Sequence, residues 1–174
     1  DFDFRLVHPL RAGARAEVLF RMGSLCERIG EAGDAVDAWE QALALYPEHR
    51  GAATALLRAY EQQADATAVL ALRRRLARSA ADPGEAIMHW SAVGRAAAPA
   101  PERRAEAIEA YEAIASLAPD DLGALIVLER LYLASGDLER LAEVYGRIAD
   151  AGSGPALRAE YLARRARLRM DELG

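Results

Sequence analysis

An all-α solenoid of antiparallel helix pairs is the fold this sequence predicts, and three observations predict it. The composition favours helix: of 174 residues, 40 are Ala and 23 are Leu, aromatics are 6%, and Thr occurs only as Thr54 and Thr67. Ala and Leu lose least on entering a helix, whereas strands draw on β-branched and aromatic side chains. Pro47, Pro83, Pro119 and Pro155 are evenly spaced; proline lacks the N–H and clashes with the preceding turn, so evenly spaced prolines mark evenly spaced helix boundaries. The chain also matches itself without gaps at twice the proline interval, a double period. Trp39 falls on Tyr111, Ala35 on Ala107, Val36 on Ile108, Tyr60 on Tyr132, Val69 on Leu141, Leu72 on Val144 and Leu76 on Ile148. Two slightly different units of about 36 residues therefore alternate.

The elements follow from periodicity and breakers. Leu138, Leu141, Tyr145 and Ile148 form one stripe of an α-helix, and Val69, Leu72, Leu76 and Ala80 repeat it one double period earlier. Leu122, Leu125, Leu128, Leu131 and Tyr132, with Ile126, Val127 and Leu133 on the other side, make a helix apolar nearly all round, expected between neighbours. Gly30–Asp34, Ala98–Pro101 and Ser135-Gly136-Asp137 supply stops and N-caps. The predicted helices are 10–30, 33–46, 50–62, 65–80, 85–97, 102–117, 121–135, 137–150 and 155–173. No such pair buries its own stripe, so each must stack on the next. The organisation expected is an arm or helix start at 1–13, four units at about 14–48, 49–83, 84–119 and 120–153, and a capping helix or first helix of a further unit at 154–174. Asp1 to Val7 alternates with period two and reads as a short extended arm or a helix end, whose Phe2 and Phe4 would pack on the first unit's edge or on another copy.

Composition narrows the chemistry. All 22 basic residues are Arg, and neither Lys nor Asn occurs, a bias expected of a GC-rich bacterial genome. Schiff-base and phosphate-loop lysines and Asn oxyanion donors are thereby absent. A net charge of −5 and a pI near 5.3 oppose general attraction to nucleic acid. The single cysteine, Cys26, allows no internal disulfide and no cysteine-cluster zinc site, and is expected as a buried, inert thiol. His8, His49 and His89 fall on separate elements and form no i, i+4 ligand pair; they read as solvated or capping histidines, His49 in the turn after Pro47. Gly152-Ser153-Gly154 reads as a turn, not a nucleophile elbow. No apolar run approaches the ~20 residues that cross a bilayer. The expectation is a cytoplasmic, non-catalytic segment of a longer protein, without cofactor or metal and without membrane insertion. Arg73, Arg74, Arg75 and Arg78 form a local basic cluster, Glu31, Asp34, Asp37 and Glu40 an acidic one, and Arg164, Arg165, Arg167 and Arg169 a second basic group; each reads first as a solvated face and second as a partner-binding patch.

Met22, Gly23, Ala35, Trp39, Ala42 and Pro47 stand at the spacing of the tetratricopeptide repeat, which the chain resembles over roughly residues 14–153. The third unit keeps Ala107, Tyr111 and Pro119 but has Arg95 where a small residue is expected. The second and fourth resemble looser variants through Leu56 with Tyr60, and Leu128 with Tyr132 and Gly136. The resemblance implies a right-handed superhelix whose concave groove takes an extended peptide or a partner's helix. The groove positions it implies are Phe20, Arg21, Ser24 and Arg28 in the first unit, Thr54, Arg58 and Gln62 in the second, and His89 with Ala92 in the third. Ile126 and Arg130 follow in the fourth, and Tyr161, Arg164 and Arg165 in the last helix. The expected function is a protein-interaction scaffold, whose arginines suit a protein or peptide with acidic side chains. A structural or regulatory segment of a larger protein, an RNA-binding helical repeat, and homo-oligomerisation through open solenoid ends are the other readings. The repeats that clamp chaperone C-termini use Lys and Asn, which this chain lacks.

Overall fold

The computed structural model describes the backbone of residues 4–173 and the side chains of residues 11–171. It is all-helical over those residues: α1 Phe4–Ile29, α2 Ala32–Leu45, α3 Arg50–Gln62, α4 Ala66–Ser79, α5 Pro83–Ala97, α6 Arg104–Leu117, α7 Leu122–Ser135, α8 Leu138–Ala151 and α9 Pro155–Leu168. A 3-10 turn at Pro101–Arg103 precedes α6 and a π-turn at Arg169–Leu173 follows α9. The predicted helices are found, with ends shifted by a few residues. The largest shift is at α1, which starts at Phe4, so Phe4 to Val7 are helical and not an extended arm. Alternation alone does not hold a strand that has no neighbour to pair with. Residues 1–3 and the side chains of Phe4 and His8 lie outside the described residues.

The chain divides into two compact units, Asp1–Ala81 and Asp82–Gly174. In the first, α1 packs on α2, α2 on α3 and α3 on α4; in the second, α5 to α9 pack in the same sequential way. Each unit is thus a stack of antiparallel helix pairs. The periodic prolines take two roles: Pro83 and Pro155 occupy the first position of α5 and α9, where the missing N–H costs nothing. Pro47 and Pro119 sit in the connections after α2 and α6. N-caps repeat too. His49 Nδ1 accepts from the Ala52 amide at 3.1 Å, and one double period on Asp121 accepts from Ala124 at 3.1 Å. Asp65 caps Ala68 at 2.9 Å and Asp137 caps Arg140 at 3.1 Å. Each cap satisfies an orphan helix donor, worth about 1 kcal/mol.

Trp39, Ala35, Ala42, Leu43 and Leu56 make the core of the first unit, closed by Leu72 and Leu76. The second unit buries Val93, Ala107, Ile114, Leu125, Leu128, Tyr132, Val144 and Ile148 among others. Helix α7 departs from its expected surroundings: Leu125, Leu128, Leu131 and Tyr132 are buried, but Ile126 is 43% and Leu133 54% exposed. Its neighbours α6 and α8 cover one side, and the opposite side faces outward.

The turn after α3 shows the repeat carrying a local cost. Gly136 ends α7 in the left-handed region at φ 72°, and its counterpart one double period earlier, Ala64, is held at φ 54°. An L side chain there costs about 1–2 kcal/mol. Ala64→Gly is expected to stabilise the protein by ~0.5–1 kcal/mol, the relief being partly offset by a more flexible unfolded chain. A higher urea midpoint at constant slope checks this; a lower one would reject it.

Candidate functional site

Two faces of the first unit are distinguished by which helices share them. Glu27 on α1 and Arg58 on α3 form an ion pair, Arg58 Nη2 lying 2.7 Å and 2.9 Å from the two carboxylate oxygens. Glu40 on α2 and Arg75 on α4 form another at 2.7 Å. The first helix of each pair therefore lines one face and the second helix the other.

The α1/α3 face holds the groove positions implied for the first two units. Arg21, Arg28, Thr54, Arg58 and Gln62 are exposed, the α3 residues at i, i+4 and i+8. Phe20 and Ser24 are half-buried and structural. The Phe20 carbonyl accepts from both Ser24 Oγ at 3.0 Å and Trp39 Nε1 at 3.2 Å, and the Phe20 ring lies 5.0 Å from that of His49. The acids here were not singled out by pattern. Glu17 pairs with Arg21 at 2.6 Å and approaches His49 Nε2 at 3.3 Å, and the hydrogen bond from Arg21 holds its carboxyl below the usual carboxylate range. Of the three arginines expected in the groove here, Arg21 and Arg58 thus already hold a carboxylate. Cys26 is only half-buried, packed at the edge of the core instead of fully inside it.

In the second unit the expected positions part company. Ile126 and Arg130 are exposed as expected. Tyr161 is buried, 8% exposed, and donates to Glu129 Oε2 at 3.0 Å. Arg164 Nη1 reaches Glu129 Oε1 at 3.0 Å and its guanidinium carbon stands 4.9 Å from the centre of the Tyr161 ring. Burial, then the bond to Glu129, pushes the Tyr161 hydroxyl pKa up. Glu129 itself is 8% exposed, an acid that a Leu-rich stripe gives no reason to expect inside. Arg165 lies against α8, where a Cβ added to Gly146 would come within 2.8 Å of its guanidinium. Tyr161 and Arg165 are therefore packing residues, not groove-facing ones.

His89 needs the same correction, for a different reason. It is 5% exposed, neither solvated nor groove-facing. Gly23 lies on the Trp39 ring, where an added Cβ would stand 2.6 Å from Nε1. The residue that repeats this on Tyr111 is Gly94, whose added Cβ would stand 2.7 Å from Cε2, and not the exposed Arg95. Trp39 and Tyr111 stand a full double period apart but Gly23 and Gly94 one position less, so α5 is slipped by one residue against the repeat. One residue turns a helix face by ~100°. The slip carries His89 inward and puts Met88 and Arg95 on the outside, with Ala92 half-buried beside them. Allowing one insertion in the Ala98–Pro101 connection is the sequence signal that finds this.

The opposite face carries an arrangement that does recur at the double period. Tyr60 Oη donates to Glu40 Oε1 at 2.9 Å while Arg75 holds Oε2; Tyr132 Oη donates to Glu112 Oε1 at 2.9 Å while Arg147 holds Oε2 at 3.1 Å. Burial and the adjacent carboxylate push Tyr60 up to about 12, and burial likewise raises Tyr132. Both phenols are neutral donors at physiological pH, so each triad is a structural clamp between helices.

Among the described residues no group of three His, Cys, Asp or Glu is placed to hold a metal, and no helix is long and apolar enough to cross a membrane. Residues 16–49 match the family model of the tetratricopeptide repeat, the segment that sets Gly23 on Trp39. No curated protein matches the chain significantly. Among solved structures, the MamA protein is similar at 17% identity over 91% of this chain and 78% of its own, with a TM-score of 0.38. TTC0263, a thermophilic TPR protein of Thermus thermophilus, is similar at 18% identity over 91% of this chain and 84% of its own, with a TM-score of 0.34. Over residues 16–49 the chain is thus similar to one tetratricopeptide repeat, and α3 to α9 follow as further helices packed in sequence.

Proposed function

We propose that the protein is a non-catalytic interaction module that takes an extended peptide or a partner's helix on its α1/α3 face. Tetratricopeptide repeats generally mediate protein–protein interaction. The observation that carries the reading is the exposed set Arg21, Arg28, Thr54, Arg58 and Gln62, brought onto two adjoining helices by the Glu27–Arg58 pair. Arginine is enriched at binding hot spots. Because Glu17 and Glu27 offset Arg21 and Arg58, this face presents alternating charge, which suits a partner carrying both signs better than a uniformly acidic one.

A photoreactive residue at Thr54 is expected to capture a stoichiometric partner in extracts of the native host, and one at Glu143, exposed on α8, is not. Arg58→Glu should weaken that capture by roughly tenfold or more, as for a central hot spot. It should leave the melting temperature nearly unchanged, since an exposed ion pair contributes only ~0.2–1 kcal/mol. Equal capture from both positions, or capture indifferent to Arg58→Glu, defeats the assignment.

A further inference from the structure

Helix α1 exposes Val18, Met22, Leu25 and Ile29, an apolar stripe at i, i+4, i+7 and i+11 along one side. The helices α1, α3 and α7 end in the same turn: the Glu31, Asp65 and Asp137 amides donate to the Cys26, Tyr60 and Tyr132 carbonyls. Counting back equally from these turns, Met22 corresponds to Leu56 and Leu128, Val18 to Ala52 and Ala124, and Leu25 to Ala59 and Leu131. Met22 is 49% exposed where Leu56 and Leu128 are 0% exposed. Ala52, Ala124 and Leu131 are buried too, whereas Val18 and Leu25 stand out in water. Each of α3 and α7 packs on a helix that precedes it, α2 and α6; among the described residues none precedes α1. The stripe is thus a stacking face, apolar where a terminal repeat ordinarily turns a polar side to water. Beside it a cleft of about 620 Å³ opens between α1 and α2, lined by Val18, Leu19, Gln41, Ala44 and Leu45 among others.

Helix α9 exposes a face of the opposite kind. Pro83 and Pro155 hold the first positions of α5 and α9, so Trp90 corresponds to Leu162 and Gly94 to Ala166. Trp90 is buried, and a Cβ at Gly94 would meet Tyr111 of the following helix, α6. Leu162 is 42% exposed, and Ala159, Ala163 and Ala166 are exposed with it, continued by Met170. One helix therefore offers the face by which α3 and α7 meet a preceding helix, the other the face by which α5 meets a following one. We propose that the two meet between copies of this chain: the exposed side of α9 in one copy docks on the α1 stripe of a second, joining copies head to tail.

Charge selects a second copy as the occupant. Asp34, Asp37, Gln41 and Ala44 lie at i, i+3, i+7 and i+10 on α2, and Gln41 and Ala44 line the cleft, so the two aspartates continue its rim. Both are exposed and hold no cation among the described residues. On α9, Arg167 and Arg169 are exposed at the borders of the apolar side and hold no acid among the described residues. An acidic rim beside one apolar face and a basic rim beside the other are complementary, which fixes the partner and the register. Arg28, on the far border of the α1 stripe, is left to Asp171, next to Met170 in the chain.

A joint between unlike faces leaves each chain of a pair with one face still open, so association propagates. The test is sedimentation equilibrium of the full chain over a roughly hundredfold range of concentration. The mean mass is expected to climb above the 18.8 kDa of one chain as concentration rises. Met22→Glu on α1 and Leu162→Glu on α9 should each weaken self-association by at least roughly tenfold, because each sinks a charge into the joint. Mixed in equal amounts, the two variants should recover a dimer, since one keeps its α9 face and the other its α1 face. Val18→Glu and Met170→Glu, both at exposed positions, repeat the pair should either first variant fold poorly by circular dichroism. A parent chain monomeric throughout, association indifferent to Leu162→Glu as in a symmetric α1–α1 dimer, or failure of the mixture to dimerise would each overturn the proposal. Such a failure leaves the α1/α3 proposal standing, because that rests on capture of a different protein through Thr54.

Discussion

Gly23→Ala is expected to destabilise the protein by about 1–3 kcal/mol, the cost of inserting a methyl into a closely packed crossing. The sign is opposite to the usual one, since replacing glycine by alanine inside a helix ordinarily gains ~0.5–1 kcal/mol. The reason is geometric. A Cβ at Gly23 would lie 2.6 Å and 2.7 Å from two atoms of the Trp39 ring and 2.9 Å from the Ala35 carbonyl oxygen. The indole cannot turn aside cheaply, because Trp39 is 1% exposed and its Nε1 donates to the Phe20 carbonyl. The Ala35 oxygen belongs to the backbone of α2, so relief requires α1 and α2 to separate. Gly23→Leu and Ala42→Leu, the latter at a position 0% exposed, should do the same. Gly13 is the internal control: nothing lies within 4 Å of its Cβ position on the same helix, so Gly13→Ala should stabilise by the usual increment. For a chain of this size 1 kcal/mol moves the melting temperature by ~2–4 °C, which resolves the two signs in one calorimetric series. Loss of stability in both variants, or in neither, defeats the packing account.

The second large effect is expected at Glu129. Glu129→Ala should cost about 1–3 kcal/mol, because it leaves the buried Tyr161 hydroxyl without its acceptor and takes a counter-charge from Arg164. Tyr161→Phe removes only one donor, and Arg164 continues to hold the carboxylate at 3.0 Å, so its cost should be smaller. Arg164→Ala should cost less than the glutamate change as well: its side chain is 43% exposed and Glu160 is a second partner. A double-mutant cycle on Glu129 and Tyr161 isolates the coupling between them. Independent, additive effects of the two changes would show that α7 and α9 are not joined through this carboxylate.

The helices were legible because their signals are local. Proline spacing, caps and apolar stripes repeat within a single turn or a single period, and Asp65 and Asp137 mark helix starts whatever surrounds them. The Tyr60–Glu40–Arg75 and Tyr132–Glu112–Arg147 clamps were legible in principle, since all three positions recur at the double period; the aligned tyrosines alone do not reveal them. The Glu129 cluster had no such signal. Its counterpart in the first unit is Leu57, so the repeat suggests an apolar side chain where the structure buries a charge. The slip in α5 was hidden by the connection between α5 and α6, half of it a 3-10 turn, which absorbs one extra residue without disturbing the period on either side.

What the amino-acid order by itself determined was the list of helices and their order along the chain, because a helix answers to residues three and four positions away. Only the tertiary structure decided which charges are spoken for and which side chains face out. Glu27 meets Arg58, Glu40 meets Arg75 and Glu129 meets Arg164 across 31 to 35 residues of chain. Those encounters depend on how two rods settle against each other. A shift of one position there rotates His89 inward while changing nothing that a local pattern can register.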